Sequence, residues 1–428
     1  MKRYSQQFSM IIMLCFFCMN SSLFAAVIHI PDDHPTIQAG IDAAVDGDTV
    51  LVKPGTYTGI GNVNIDFKGK RITVESQNGP RTTIIDCEEK AETRGIIFQN
   101  QETSDSVLDG FTIKNGNHEY SGGIFCYDAS PLIKNCVITQ NRGNGVYLSG
   151  GNTFGGERPK PTLIDCIISE NTSNGIYSRS FLLIEVRGCT IARNSARGVV
   201  CISNYSFENN IISHSIIEQN GKGGIELSTN SNLKITESII RQNIAESGGG
   251  IACSRTCNLD ISNCLIAENI ATRWGGGLDI ESWSGKATIS HCTITQNSAG
   301  IKGGGIYFSS TPANRSVLNV TNSIIWNNKS DGTYPEVLLT GNGISIQSSN
   351  IKDGLQGIKR EVDGNLFAYE DNIDIDPLFV NVDNGDYRLK PNSPAAAMGV
   401  HATIENLLSV NSVGKILVKW AKLKQNTR

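Results

Sequence analysis

Between residues 107 and about 350 the chain alternates apolar and polar positions in short bursts, and the bursts recur. One copy reads Leu259-Asp-Ile261, Cys264-Leu-Ile266, Asn269, Gly275-Gly-Gly277, Leu278. The next reads Ala287-Thr-Ile289, Cys292-Thr-Ile294, Asn297, Gly303-Gly-Gly305, Ile306. A small residue marks each copy, at Cys136, Cys166, Cys189, Ser215, Ser238, Cys264, Cys292 and Ser323, with spacings of 30, 23, 26, 23, 26, 28 and 31. A repeat of this period signals a solenoid. Each copy holds three stretches of period-2 alternation, the mark of a strand. In one copy they are Ile225-Glu-Leu227, Leu233-Lys-Ile235 and Ser238-Ile-Ile240. Between Ile235 and Ser238 the alternation slips by one residue, and the slip returns at Ile133/Cys136, Val186/Cys189, Ile261/Cys264, Ile289/Cys292 and Val320/Ser323. A flat strand cannot slip and keep both groups inward, so a corner is expected there. Three strands and three corners per copy predict an all-β, three-sided parallel β-helix. About eleven coils stacked at ~4.8 Å would make a rod roughly 50 Å long.

An Asn follows the last apolar residue of each full copy, at Asn141, Asn171, Asn194, Asn220, Asn243, Asn269, Asn297 and Asn328. A catalytic residue has no reason to recur eight times, so these are read as a structural ladder. Asn tolerates the left-handed conformation at a corner and can bond its neighbours along the rod. The Gly runs supply positive φ and close backbone approach. The cysteines fall into two inward rows of small residues, one holding Cys126, Cys201 and Cys253, the other Cys136, Cys166, Cys189, Cys264 and Cys292. Parallel side-chain vectors along a row suit a disulfide poorly. Buried, inert thiols are expected, with Cys253 and Cys257 as the exception. Beyond residue 26 no Cys-x-x-Cys pair exists and the six His are scattered, so no metal site or cofactor is expected.

Different patterns border the repeats. Lys2 and Arg3, the apolar run Met10–Met19 and the small residues Ala25 and Ala26 read as a secretory signal over residues 1–26. Export is therefore expected, to the medium, the periplasm or the cell surface. No other stretch is long enough to span a membrane. The β-helix is expected over 27–399. Residues 35–45 fit a short amphipathic helix that caps its N-terminal end, with Ile37, Ile41 and Val45 on one face, and Thr49–Val52 as the first strand. Closing strands are expected within 376–395, at Pro377–Phe379 and Tyr387–Leu389. The tail, 400–428, is basic, and Val413, Ile416, Leu417 and Trp420 are spaced like one face of an amphipathic helix.

Composition narrows the partners. Charged residues are 18% of the chain, and 37 Lys+Arg against 41 Asp+Glu leave a net charge of −4. No strongly basic face is implied, which argues against a nucleic-acid partner.

The repeat region resembles the right-handed parallel β-helix proteins of the pectin-lyase-like superfamily. The opening from Thr36-Ile-Gln-Ala-Gly40 to Val52-Lys-Pro-Gly-Thr-Tyr57 looks like the start of many bacterial members. Asp376-Pro-Leu-Phe379, Asn384-Gly-Asp-Tyr387 and Ser393-Pro-Ala395 resemble their closing element. The resemblance implies a right-handed coil over roughly residues 28–399. The chain lacks the catalytic motifs of pectin methylesterases, polygalacturonases, pectate lyases and mannuronan epimerases, so the resemblance transfers no catalytic residue.

A site is sought instead on the outward side of the strand after each Gly run. One outward row reads Phe125, Tyr147, Tyr177, Val200, Glu226, Ala252, Asp279, Tyr307. The next reads Tyr127, Ser149, Arg179, Ile202, Ser228, Ser254, Glu281, Ser309. Trp283 follows Glu281, and the loop Ser149–Pro161 is enlarged. Aromatic rings offer apolar faces to a sugar chain, and charged groups offer hydrogen bonds. The expected binding residues are Tyr127, Tyr147, Tyr177, Arg179, Trp283 and Tyr307. Glu226, Asp279 and Glu281 are the candidate carboxylates for glycoside cleavage, which needs two at a suitable separation. Three readings stay open: a polysaccharide binder, a polysaccharide lyase or hydrolase acting on the same face, and a structural or adhesive rod with no glycan site. Oligomeric state cannot be read from the sequence.

Overall fold

The computed structural model describes residues 25–151, 158–202, 208–282, 285–310, 316–332 and 336–400. The signal, the tail beyond Val400 and Trp283 lie outside them. The chain winds as a parallel β-solenoid with three faces. Face A follows the Gly runs and includes Ile225–Ser228, Ile251–Arg255 and Leu278–Ser282. Face B comes next, with Ser231–Thr236, Cys257–Ser262 and Lys286–Ser290. Face C, with Ile239–Arg241, Leu265–Ala267 and Thr293–Thr295, is a separate sheet of twelve strands, one per coil. Two long strands, Val337–Gln347 and Ile358–Glu370, turn the corner between A and B and join those faces into one sheet. The strand pairs of the three faces are parallel and mostly in register, as in Ile235↔Ile261↔Ile289, with register shifts between Asn117–Tyr127 and Arg142–Ser149 and between the two long strands.

The phase slips are corners, as expected. Their geometry comes from one left-handed residue at each: Asn135, Asp165, His214, Glu237, Asn263, His291 and Asn322 all have positive φ. Ser238, Cys264 and Cys292 then point inward and are fully buried.

The ladder asparagines make a different corner from the one expected. They are not themselves left-handed. The residue before each is: Gln140, Glu170, Arg193, Gln219, Gln242, Glu268, Gln296 and Asn327, with φ of 54–58°. That twist throws the Asn side chain into the rod, where all eight are buried. Asn243 Nδ2 donates to Asn269 Oδ1 at 3.0 Å, and Asn269 Oδ1 also accepts the Asn243 backbone N–H at 3.1 Å. The same two bonds link every neighbouring pair from Asn141 to Asn328. At the last rung Asn328 Nδ2 donates to Glu336 Oε2 at 2.7 Å.

Branched aliphatics from all three faces fill the axis, and Cys136, Cys166 and Cys189 stack among them. Eight described cysteines are free and buried, and Cys253 and Cys257 form a disulfide. Burial pushes the Cys87 and Cys201 thiols up to about 12.

Both ends depart from the expectation. The helix, α1, is Ile37–Ala43 with Thr36 as its N-cap. Ile37 and Ile41 are fully buried, but Val45 is half exposed, because extended backbone at Ala44 ends the helix before it. Thr49–Val52 is not the first strand: Val27–Ile30 precedes it and pairs along its whole length. At the other end, Phe379–Asn381 and Asp386–Leu389 form an antiparallel hairpin. It does not close the rod. It lies along the outside of face C, where Phe379, Tyr387 and Ala395 pack on Ile216, Ile239, Leu265, Ala267 and Ile324. Several face C strands carry two consecutive apolar residues, such as Ile216-Ile217, Ile239-Ile240, Leu265-Ile266 and Ile324-Ile325. One points in and the other out, and the outward ones are what the hairpin covers.

Candidate functional site

Face A presents its outward residues in single file. The register runs Phe125↔Tyr147↔Tyr177↔Val200↔Glu226↔Ala252↔Asp279↔Tyr307. Two residues further along each strand lies the row from Ser149 through Arg179, Ile202, Ser228 and Ser254 to Glu281 and Ser309. Side chains in one row stand a coil apart, at ~4.8 Å, which is within stacking reach of aromatic rings.

Stacking organises the N-terminal half of the row. The Phe125 and Tyr147 rings have centroids 5.7 Å apart and planes 6° apart; Tyr147 and Tyr177 follow at 5.6 Å and 16°. Tyr120 adds a third ring 5.6 Å from Tyr147, and the Arg94 guanidinium sits over Phe125 at 4.5 Å. Arg94 also meets His118, whose Nε2 lies 3.3 Å from Glu92. Because the rings cover one another, Tyr147 is only 8% exposed. The sequence reading took these rings as open faces. In the structure they present edges and hydroxyls, and the accessible groups are Tyr127, 45% exposed, and the exposed Arg179.

Charge organises the other half. Arg197, from the corner before face A, pairs with Glu226 at 2.5 Å. A Cβ on Gly223 would stand 2.5 Å from Arg197 Nη1, so the missing side chain makes room for the guanidinium. Asp279 lies two coils from Glu226, about 9–10 Å between backbones, with Ala252 between them. It points outward but is buried, at 6% exposure, against the expectation of an open carboxylate. A Cβ on Gly275 would lie 2.7 Å from Asp279 Cα, so the Gly corner runs close beside this strand. Burial, then the neighbouring Glu281, push the Asp279 carboxyl up to about 8, and Arg197 partly opposes them. Asp279 Oδ1 and Arg197 Nη1 are both buried without a hydrogen-bond partner. Tyr307 stacks on Trp274 at 5.8 Å, and Arg273 covers Trp274 at 4.0 Å.

The structure thus gathers Tyr127, Tyr147, Tyr177 and Arg179 at one end of the face and Glu226, Asp279, Glu281 and Tyr307 at the other. Sequence reasoning missed Arg94, His118, Tyr120, Arg197 and Trp274. All five stand at or near corners, off the alternating strand pattern; only the register of the coils brings them beside the row. Where face A turns into face B, Thr103, Ser130, Arg158, Lys160 and Leu183 border a depression of about 680 Å³. Among the described residues no cluster of three or more His, Cys, Asp or Glu could hold a metal ion, and no helix is long and apolar enough to cross a membrane.

Residues 154–319 match the family model described as right handed beta helix region. Together with the observed coils, this shows a right-handed parallel β-helix. No curated protein matches it by sequence. Among solved structures, pectate lyase Pel9A is similar at 14% identity and a TM-score of 0.48, over 86% of this chain and 90% of that one. The PL6 family alginate lyase AlyGC is 12% identical with a TM-score of 0.49; the alignment covers 89% of this chain but 57% of the lyase. The A-module of the Azotobacter vinelandii mannuronan C-5 epimerase AlgE6 is 14% identical with a TM-score of 0.40, over 80% and 94% of the two chains.

Proposed function

We propose that this is an exported protein that binds an extracellular polysaccharide along face A, between Tyr127 and Asp279. The observation that carries the reading is the single-file row itself. Phe125, Tyr147 and Tyr177 follow one another at one coil's spacing, with exposed Tyr127 and Arg179 beside them and Glu226 further along the same sheet, and such a row suits an extended chain of hydroxyl-rich units better than a compact ligand. The test is binding to a panel of neutral and acidic polysaccharides. Tyr127 and Arg179 are exposed, so replacing both by Ala leaves the core intact. The double variant should bind at least tenfold more weakly at an unchanged melting temperature. Wild-type affinity in that variant, or silence of the unmodified protein on every glycan, would discard the reading.

One observation favours a reaction on the same face. Asp279 is a buried carboxyl held neutral by its surroundings at pH 7, the state a general acid needs. In this reading Asp279 protonates the leaving glycosidic oxygen while a water molecule bonds to the freed sugar carbon and gives its proton to Glu226. Asp279→Asn should then abolish the appearance of new chain ends from a bound glycan while leaving its affinity within a few-fold. Equal product from the variant would remove Asp279 from the chemistry.

A further inference from the structure

We propose that the outward row of face A is notched at Ala252, and that this notch is the subsite for one neutral sugar unit of the bound polysaccharide. The inference rests on the reading of face A as a glycan-binding face; it adds which coil selects the ligand and which class of glycan it selects. From Phe125 to Val200 the row is filled by aromatic and branched side chains. It passes through Glu226, drops to Ala252 and rises again at Asp279 and Tyr307. Ala252 is the smallest side chain in that stretch. It is partly exposed, whereas Val200 and Asp279 are buried. The next outward residue on the same strand is Ser254, paired with Ser228 one coil before, so the floor stays low to that side too. Glu226 and Asp279 bound the notch along the rod, about 9–10 Å apart between backbones.

Its walls carry unmet hydrogen-bonding atoms. Arg197 starts three coils before Asp279, yet its charge acts on the Asp279 carboxyl. The side chain runs along the rod through the space left at Gly223 and pairs with Glu226. Arg197 Nη1 and Asp279 Oδ1 are both buried without a partner, and Asp279 as a whole is only 6% exposed. A buried polar atom left unmet is costly, and native sites that keep one have a use for it. Here a donor and an acceptor stand open on opposite sides of one gap. A hydroxyl both donates and accepts, so the hydroxyls of one sugar unit complement both atoms.

The charge balance decides between classes of sugar. Three acidic residues, Glu226, Asp279 and Glu281, surround the notch against Arg197, which is already paired with Glu226. A sugar carboxylate placed there would meet like charge and find no unengaged cation among them. Neutral hydroxyls meet no such opposition.

The test is titration of the full chain with neutral polysaccharides (a β-glucan, a xylan and a galactomannan) and with polyuronates (polygalacturonate and alginate). It is repeated with Ala252→Leu, which fills the notch, and with Ala252→Ser, which leaves it open. The tightest ligand is expected to be neutral. Ala252→Leu should bind it about tenfold more weakly or worse, and Ala252→Ser within about twofold, at an unchanged melting temperature. Ala252→Val installs the residue type that the row already carries at Val200, and it supplies the filled comparison if the Leu variant melts lower. Wild-type affinity in the filled variants overturns the notch, as do equal losses in the Ser and filled variants. If binding is lost in the Tyr127/Arg179 double variant but kept in the filled ones, face A remains the glycan face and only the subsite falls. Preference for a polyuronate overturns the neutral class. Silence of the unmodified protein on every glycan removes the face A reading and the notch together.

Discussion

At the scale of single residues, the rod depends on side chains that have no surface role. Asn243 shows why. Its Nδ2 reaches Asn269 Oδ1 and the Ile217 and Arg241 carbonyls, and its Oδ1 accepts from the side chain and backbone of Asn220. Asn243→Ala would leave the Asn220 backbone N–H without a partner inside the protein, while Asn220 Nδ2 keeps the Ile191 carbonyl and Asn269 Oδ1 keeps the backbone N–H of residue 243. A buried orphan costs about 1–3 kcal/mol, so a loss of about 1–3 kcal/mol is expected in chemical denaturation. A fall below about 1 kcal/mol would mean that water or relaxation replaces the rung. The recurrence of Asn was plain in the sequence, but its job was only half legible. Gln, Glu and Arg are unusual choices for left-handed backbone, so nothing in the composition of the corner indicates that they, rather than the Asn, take that conformation.

Whole elements show how far alternation can be read. Several face C strands supply an inward and an outward apolar residue, such as Ile240 and Ile239, and pattern alone treats the outward one as surface. Ile239 is in fact 1% exposed, under the C-terminal hairpin, and Tyr387 of that hairpin donates to Glu268 at 2.7 Å. Ile239→Ala should therefore cost about 2 kcal/mol or more and speed hydrogen exchange over 379–399. Lys234→Ala, on the exposed side of face B, should stay within about 0.5 kcal/mol. Equal effects from the two would mean that the hairpin contributes no packing energy. The helix α1 was more legible than the hairpin, because an N-cap and a buried stripe are local signals, whereas a docking surface built from Ile216, Ile239, Leu265 and Ile324 is assembled from four separate coils.

For the molecule as a whole, two buried acids set the dependence of stability on pH. Burial holds Asp279 up to about 8 and Glu336 up to about 7, the latter against hydrogen bonds from Asn328 that pull it down. Their ordinary values are 3.8 and 4.5. Between those values and the raised ones the folded chain holds protons that the unfolded chain has released. Stability must then fall as pH rises from about 4 to about 8. Glu336→Gln and Asp279→Asn should each flatten that fall, read as the difference between denaturation midpoints at about pH 5 and about pH 8. An unchanged slope in both variants would show that neither acid is protonated in the folded protein.

The sequence by itself determined the coil: its period, three faces, inward rows and corner positions, because a repeated local pattern must meet its own copy one coil away. It also determined which residues share the outward row of face A. Only the tertiary structure decided which of those are reachable. Stacking closed the faces of Phe125 and Tyr147, Asp279 ended up buried, and Arg197 came from a corner to pair with Glu226. Exposure at each point depends on what neighbouring coils and corners place over it, and that sum over distant residues is not written in any one repeat.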